Sequence, residues 1–348
     1  MTHRRPIAWG ILGTGMIARK LAAAIAESPS ATLAAVGSRN LESARRFARE
    51  FGGERAFGSY DEVLRCDAVE AVYIALPNQL HAEWAMRAAA LRRHVLCEKP
   101  LAVNRIEAER VIAAARSARV FLMEAFMYRC HPQTERLVQV IRDGDIGEVR
   151  LIQATFTFKL GPRDDIRLQN AAAGGGIMDV GCYPLSMARL IAGAARGNPF
   201  QNPTDITGTA HIGERSRVDE LATASAKFPG GCLAALACGI RVASEHTLRI
   251  WGSAGHIVVP QPWIPPQKDA RILVQREGQS TPTELLVDAP ASLYAIEIER
   301  VADAIRTGDL EARSPCMSWA DTLGNMAGLD AWRAAVGLTF DCERRTGS

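Results

Sequence analysis

The chain reads as an α/β protein: a doubly wound parallel sheet, followed by a second α/β domain built on a large, open, mainly antiparallel sheet. Three observations predict this. Up to about residue 125, short apolar runs alternate with helical stretches, as in successive β-α-β units. Past residue 130 the apolar residues alternate by twos, the period of half-buried strands. The length of 348 residues exceeds one ordinary core, so two domains are expected, at 1–127 and 128–348.

Ile7–Leu12 reads as a buried strand, Met16–Ala26 as the helix after it and Leu33–Gly37 as the second strand. Further strands are expected at Val69–Leu76, His94–Cys97 and Val120–Glu124, with helices at Leu41–Phe51, Leu80–Ala90 and Ile106–Ser117. The second half opens with a helix at Pro132–Arg142. Val149–Phe158 then sets Ile152, Ala154, Phe156 and Phe158 against Gln153, Thr155 and Thr157. Similar strands are expected near 204–212, 219–228, 231–242, 246–251, 270–276 and 283–288. A helix at Ile177–Ile191 interrupts them, and helices near 292–307 and 318–336 close the chain. Loops at 159–174, 196–204 and 260–268 are rich in Gly, Asn or Pro.

Gly13, Gly15 and Ala18 follow the first strand at the spacing of a G-x-G-x-x-G/A turn. The first glycine permits the tight turn, the second lets the backbone approach a pyrophosphate, and Ala18 keeps the helix close to its strand. The amides of Met16 and Ile17 then open a helix whose dipole faces the phosphates. The second strand runs into Ser38-Arg39, where an NAD-type site would carry a carboxylate for the ribose 2′-hydroxyl. A hydroxyl and a guanidinium suit a 2′-phosphate instead. The expected cofactor is NADP.

Ligands of such sheets bind at the carboxyl ends of the strands. Leu76-Pro77-Asn78 and His81 follow one strand: Asn78 could hold the ribose and His81 face the nicotinamide, or Asn78 could cap the helix with His81 on the surface. Cys97-Glu98-Lys99-Pro100 ends the next, where a lysine can donate to ribose and substrate hydroxyls or exchange protons, and where the proline bond can be cis. Tyr128 and Arg129 sit where the chain crosses between domains, as substrate donors or as pins. Gly174-Gly175-Gly176 leads into a helix on which Asp179 and Tyr183, four residues apart, share a face. They could manage a substrate proton, or Asp179 could serve the helix dipole while Tyr183 packs in the core.

Composition excludes several classes. A hydrophobic content of 48%, 23% charged residues and a formal charge of +3 describe an ordinary globular protein. No basic stripe interleaved with aromatics points to nucleic acid, and no apolar run is long enough to span a membrane. The eight cysteines at 66, 97, 130, 182, 232, 238, 316 and 342 stand singly, with neither C-x-x-C pairs nor metal spacing. A reducing, cytoplasmic compartment and no structural metal are expected.

Taken together, Gly13-x-Gly15-x-x-Ala18, Ser38-Arg39-Asn40, Leu76-Pro77-Asn78, Glu98-Lys99-Pro100, Glu124-Ala125-Phe126-Met127-Tyr128-Arg129 and Gly-Gly-Gly-x-x-Asp179-x-Gly-Cys-Tyr183 resemble one family. It is that of glucose–fructose oxidoreductase, myo-inositol dehydrogenase and dimeric dihydrodiol dehydrogenase, in particular its NADP-dependent D-xylose and dihydrodiol dehydrogenase branch. Trp251-Gly252-Ser253-Ala254-Gly255, Ser318-Trp319-Ala320-Asp321 and Trp332-Arg333 fit it too. The resemblance implies a Rossmann domain joined to an open-sheet α/β domain that commonly dimerises. It maps the family's catalytic lysine onto Lys99, and its helix-borne aspartate and tyrosine onto Asp179 and Tyr183. Cys130 departs from the family's usual aromatic, which puts substrate identity in doubt.

The expected cofactor contacts are therefore Gly13, Gly15, Met16, Ile17, Ser38, Arg39, Leu76, Asn78, His81, Glu98 and Lys99. The expected substrate contacts are Tyr128, Arg129, Asp179 and Tyr183, and the expected catalytic set is Lys99, Asp179 and Tyr183. The reading is an NADP-dependent oxidoreductase of a sugar, polyol or dihydrodiol, an aldose such as D-xylose above all. The alternative is a silent cofactor-binding regulator. A sheet face carrying Ile152, Phe156 and Phe158 also calls for cover, so a homodimer through the second domain is expected.

Overall fold

The computed structural model describes residues 5–161, 165–243 and 245–344, so residues 162–164 of the expected loop at 159–174 lie outside it. The chain forms two compact units. The first comprises Met1–Ala102, Ile106–Met127 and Pro290–Trp319, and the second Val103–Arg105, Tyr128–Ala289 and Ala320–Ser348.

In the first unit the order is β1 (Ile7–Leu12), α1 (Met16–Glu27), β2 (Ala31–Gly37), α2 (Leu41–Phe51), β3 (Arg55–Phe57), α3 (Tyr60–Arg65) and β4 (Ala71–Ile74). Then come α4 (Asn78–Ala90), β5 (His94–Glu98), α5 (Arg105–Ala118) and β6 (Leu122–Ala125). The strands form one parallel sheet in the order β3-β2-β1-β4-β5-β6. The order reverses between β1 and β4, which is where doubly wound sheets open a crevice at their carboxyl ends. Sequence periodicity passes over β3 and α3 because each is too short to show a period. A local signal was present, since Ser59 accepts from the Glu62 amide at 3.3 Å in a capping box.

The second unit holds α6 (Pro132–Arg142), β7 (Val149–Thr157), a π-helix at Ile177–Gly181, α7 (Cys182–Ala194), β8 (Asp205–Ile212), β9 (Asp219–Lys227), β10 (Leu233–Gly239) and β11 (His246–Gly252). After these follow β12 (Gly255–Val259), β13 (Ala270–Arg276) and β14 (Thr283–Val287). The chain ends with α8 (Leu293–Thr307), α9 (Trp319–Ala335) and the short α10 (Asp341–Arg344). Eight strands make one sheet in the order β14-β13-β12-β11-β7-β10-β9-β8. All neighbours are antiparallel except β7 and β10, which run parallel with Ile152 opposite Ala234. Sequence reading leaves β12 unassigned, because its five residues follow β11 after only two and are too few to show a period of their own.

Two expectations are corrected. Pro290–Trp319 belongs with the first unit, not with the residues before it. Glu299 of α8 accepts from Ser28 and Ser30, at 2.5 and 2.7 Å, just beyond α1. Helical periodicity shows that α8 has a buried face but not which sheet receives it. The sheet face bearing Ile152 and Phe156 is also not the open one. Both side chains are buried under α7, itself buried along its whole length. The open face presents Leu151, Leu221, Leu233, Thr209 and Thr223.

One buried charge cluster ties the elements of the second unit. Asp321 of α9 accepts from Arg129 through Oδ2 and from Arg189 of α7 through Oδ1, both at 2.6 Å. Both guanidinium groups are fully buried. Arg129 also donates to Ser186 at 2.7 Å, and Arg189 to Asn202 at 2.8 Å. Removing the carboxylate takes the shared counter-charge away from two buried guanidinium groups. Asp321→Ala should therefore lose about 3–5 kcal/mol in a denaturant melt. A loss below about 1 kcal/mol would mean the cluster is not a structural centre.

Candidate active site

In the first unit the expected residues converge on the carboxyl ends of β1, β2, β4 and β5. Gly13 has φ +106, and a Cβ there would sit 2.5 Å from the Ala75 carbonyl oxygen, so only glycine fits. Gly15 is the extended N-cap of α1, and a Cβ built on it meets nothing within 4 Å. No side chain caps α1 and its first turn holds no acid, so the amides of Met16 and Ile17 face this space with a positive helix end. That cradle fits a pyrophosphate.

At the end of β2 the Ser38 hydroxyl accepts from the Asn40 amide at 3.3 Å. Arg39 is exposed and bonds the Tyr60 phenol, whose pKa burial raises and Arg39 pulls back. A hydroxyl and a cation with no carboxylate at this edge fit a 2′-phosphate.

The next two strand ends are joined by His81, which is 1% exposed. Its Nδ1 lies 2.7 Å from the Pro100 carbonyl oxygen and its Nε2 2.8 Å from that of Leu76. This corrects the expectation that His81 faces the nicotinamide: it ties the Leu76 turn to the Lys99–Pro100 turn, whose peptide bond is cis. Burial lowers its pKa, and the charge of Lys99 adds to that. Asn78 is the first residue of α4 and Pro77 the cap, so Asn78 is not the cap either. Glu98 is buried, accepts from the Tyr73 phenol, and takes the Lys99 amide at 3.3 Å. Its carboxylate thus braces the turn that carries Lys99.

In the second unit Tyr183 is the second residue of α7, which follows directly on the π-helix that carries Asp179. A π-turn inside a helix is common at functional sites. The Tyr183 ring stacks on Tyr128 with centroids 5.5 Å apart and meets Phe156 edge-on at 5.1 Å. Trp263 closes the cluster 6.1 Å from Tyr183, and its indole donates to the Thr155 carbonyl at 2.8 Å. Asp179 accepts from the Arg167 Nε at 2.8 Å. Arg167 also reaches Asp165 and is held above its usual pKa, chiefly by the Asp179 charge.

Tyr128 and Arg129 are both fully buried. The Tyr128 hydroxyl lies among Ser186, Arg129 and, at 3.5 Å, the Tyr183 carbonyl. Burial pushes its pKa up to about 12. These two residues back Tyr183. Cys130 is likewise buried. Sequence reading missed Arg167, Phe156 and Trp263 as site residues. The first stands in a Gly-rich loop twelve positions ahead of Asp179, and the aromatics read as ordinary core.

Residues 7–126 match the model of an oxidoreductase family with an NAD-binding Rossmann fold, and residues 134–258 that of the GFO/IDH/MocA C-terminal domain. The chain belongs to the GFO/IDH/MocA family of oxidoreductases. It is 32% identical over 347 residues to the mouse trans-1,2-dihydrobenzene-1,2-diol dehydrogenase, covering 97% of this chain and 99% of the relative. It is 34% identical over 325 residues to the D-xylose 1-dehydrogenase (NADP(+)) 2 of Haloferax volcanii, covering 93% and 95%. A 3-ketoreductase from Actinomadura kijaniata, solved with NADP and TDP-benzene, superposes with a TM-score of 0.85 at 31% identity, over 95% of this chain and 98% of that one.

Proposed function

We propose that this oxidoreductase uses NADP to oxidise or reduce a sugar, polyol or dihydrodiol, with an aldose such as D-xylose as its first candidate. The observation that carries this is Tyr183, a phenol set in a buried aromatic stack at the π-to-α junction, four residues after an Arg-paired Asp179. The NADP(+) dependence of the Haloferax relative and the NADP in the Actinomadura structure support the cofactor. Variants of that ketoreductase changed at one tyrosine or one lysine have been solved, the same two residue types. Retention of Lys99, Asp179 and Tyr183 speaks against a silent regulator.

Gly13, Gly15, Met16 and Ile17 would hold the pyrophosphate, Ser38 and Arg39 the 2′-phosphate, and Leu76 and Asn78 the ribose side. When bound, NADP supplies the two-electron exchange at its nicotinamide. Lys99 donates to ribose and substrate hydroxyls. Asp179 orients the substrate hydroxyl, with Arg167 holding its carboxylate in place. Tyr183 gives or takes the proton, and Tyr128 and Arg129 hold its ring in place.

The fold also supports a homodimer through the open sheet face, where Leu151, Leu221 and Leu233 stand among small Thr, Ser and Ala side chains around a depression lined by Gln153, Thr207 and Ser225. All eight cysteines are thiols, which fits the reducing cytoplasm. Among the described residues no helix is long and apolar enough to cross a membrane.

Titration with both cofactors should favour NADP, and Arg39→Ala should cost NADP about 1.5–3 kcal/mol while leaving NAD unaffected. Equal affinities in the parent protein would sink the assignment. Lys99→Met and Tyr183→Phe should each nearly abolish NADPH formation with aldoses while NADP still binds, and the double variant should add little further loss. Near-normal kcat in Tyr183→Phe would move the proton to Lys99 or water. Light scattering should give about twice the chain mass, falling to one chain in Leu233→Arg; a single-chain mass for the parent would remove the dimer.

A further inference from the structure

Asp219 opens β9 and is fully buried beneath the Gly174–Gly176 run. It accepts the Ile177 amide at 2.6 Å, and the Gly176 amide also donates to it. These are the entry amides of the π-helix, whose own N-cap residue, Gly176, offers no side chain. The glycines are what allow the approach. A Cβ on Gly175, at φ +102, would stand 2.2 Å from Asp219 Oδ1, and one on Gly174 would stand 2.4 Å from the Arg167 carbonyl oxygen. Asp219 Oδ1 itself has no hydrogen-bond partner although it is buried.

We propose that Asp219 is a positioning residue, clamping the entry of the π-turn and so setting the placement of Asp179 and Tyr183. The inference rests on the catalytic reading of those two residues given above. An ionised carboxylate accepts amide bonds about twice as strongly as a neutral group. The clamp is therefore tightest when Asp219 is charged.

Burial pushes the Asp219 carboxyl up to about 7, against the pull of the Ile177 and Gly176 amides and of Arg333 on α9. The other titratable groups around it are Cys238 on β10 and, through that thiol, Cys182 and Asp179. Two opposite pH trends follow. Folded Asp219 keeps a proton that the unfolded chain releases between about pH 4 and pH 7, so its contribution to stability falls as pH rises through that window. The Ile177 and Gly176 amides themselves pull that carboxyl down, so against an opening of the turn that leaves Asp219 buried, charge over the upper end of the same window tightens the clamp. A residue with a merely structural role would not raise turnover while lowering stability.

The test uses the full chain, with amide hydrogen exchange over residues 174–183 and kcat measured across pH. In the parent protein, protection corrected for intrinsic rates and kcat should both rise through about pH 7. In Asp219→Asn, which keeps shape but not charge, both rises should flatten. Its kcat at about pH 8 should fall roughly 10- to 100-fold while NADPH fluorescence titrations stay unchanged. The melting temperature of Asp219→Asn relative to the parent should climb from about pH 5 to pH 8. Gly175→Ala should speed the same exchange, and if it fails to fold, the isosteric variant carries the test. Unchanged exchange and an unchanged pH rise in Asp219→Asn would overturn the proposal, as would faster exchange with undiminished kcat. Full turnover in both Asp179→Asn and Tyr183→Phe would instead sink the catalytic reading, leaving the exchange data to judge the clamp alone.

Discussion

Two guanidinium groups share the carboxylate of Asp321 in a place that water does not reach, and the arrangement around Tyr183 depends on that sharing. Arg129 is held on one oxygen, which fixes the neighbouring Tyr128 phenol, and the Tyr128 ring is the surface on which Tyr183 stacks. Arg189 is held on the other and joins α7 to α9. Burying ions in this way is costly unless every donor is matched. Ser186 and Asn202 supply further acceptors, so the charges are tolerated and the geometry is narrowly set.

The first unit solves a different problem, which is to bring backbone close to a highly charged ligand. It does so where the strand order reverses between β1 and β4, with Gly13 turned against Ala75 and Gly15 facing open space. The surrounding turns are braced from within by His81, by the Tyr73–Glu98 contact, and by Glu124, which takes the Leu101 amide at 2.9 Å. Lys99 is thus presented by a turn whose immediate neighbours are all committed to holding it.

The residues that sequence reading placed in contact with ligand but that prove internal share one property. His81, Glu98, Tyr128 and Arg129 are buried polar residues that stand at or just past strand ends, where ligand contacts concentrate. Position along the chain identifies such a place correctly. Which way the side chain turns depends on whether a buried carbonyl, carboxylate or ring awaits it, and those partners are distant in sequence: Pro100 for His81, Asp321 for Arg129, Tyr183 for Tyr128. Asp219 is the converse case. It begins an ordinary alternating strand, and only the folded chain brings it beneath the glycines of another segment.

By itself the sequence determined whatever depends on local period and local sterics. The Ile7–Leu12 strand and the helices Leu41–Phe51 and Pro132–Arg142 emerge with the boundaries expected, because apolar spacing and turn residues are properties of contiguous chain. The glycine turn and the missing carboxylate after β2 were legible for the same reason. Tertiary structure alone decided what closes each exposed face and each buried charge. It folded α8 back onto the first unit, laid α7 over Ile152 and Phe156, and paired Arg167 with Asp179. Burial and pairing are relations between distant segments, and alternation along one strand reports that a face is covered without naming its cover.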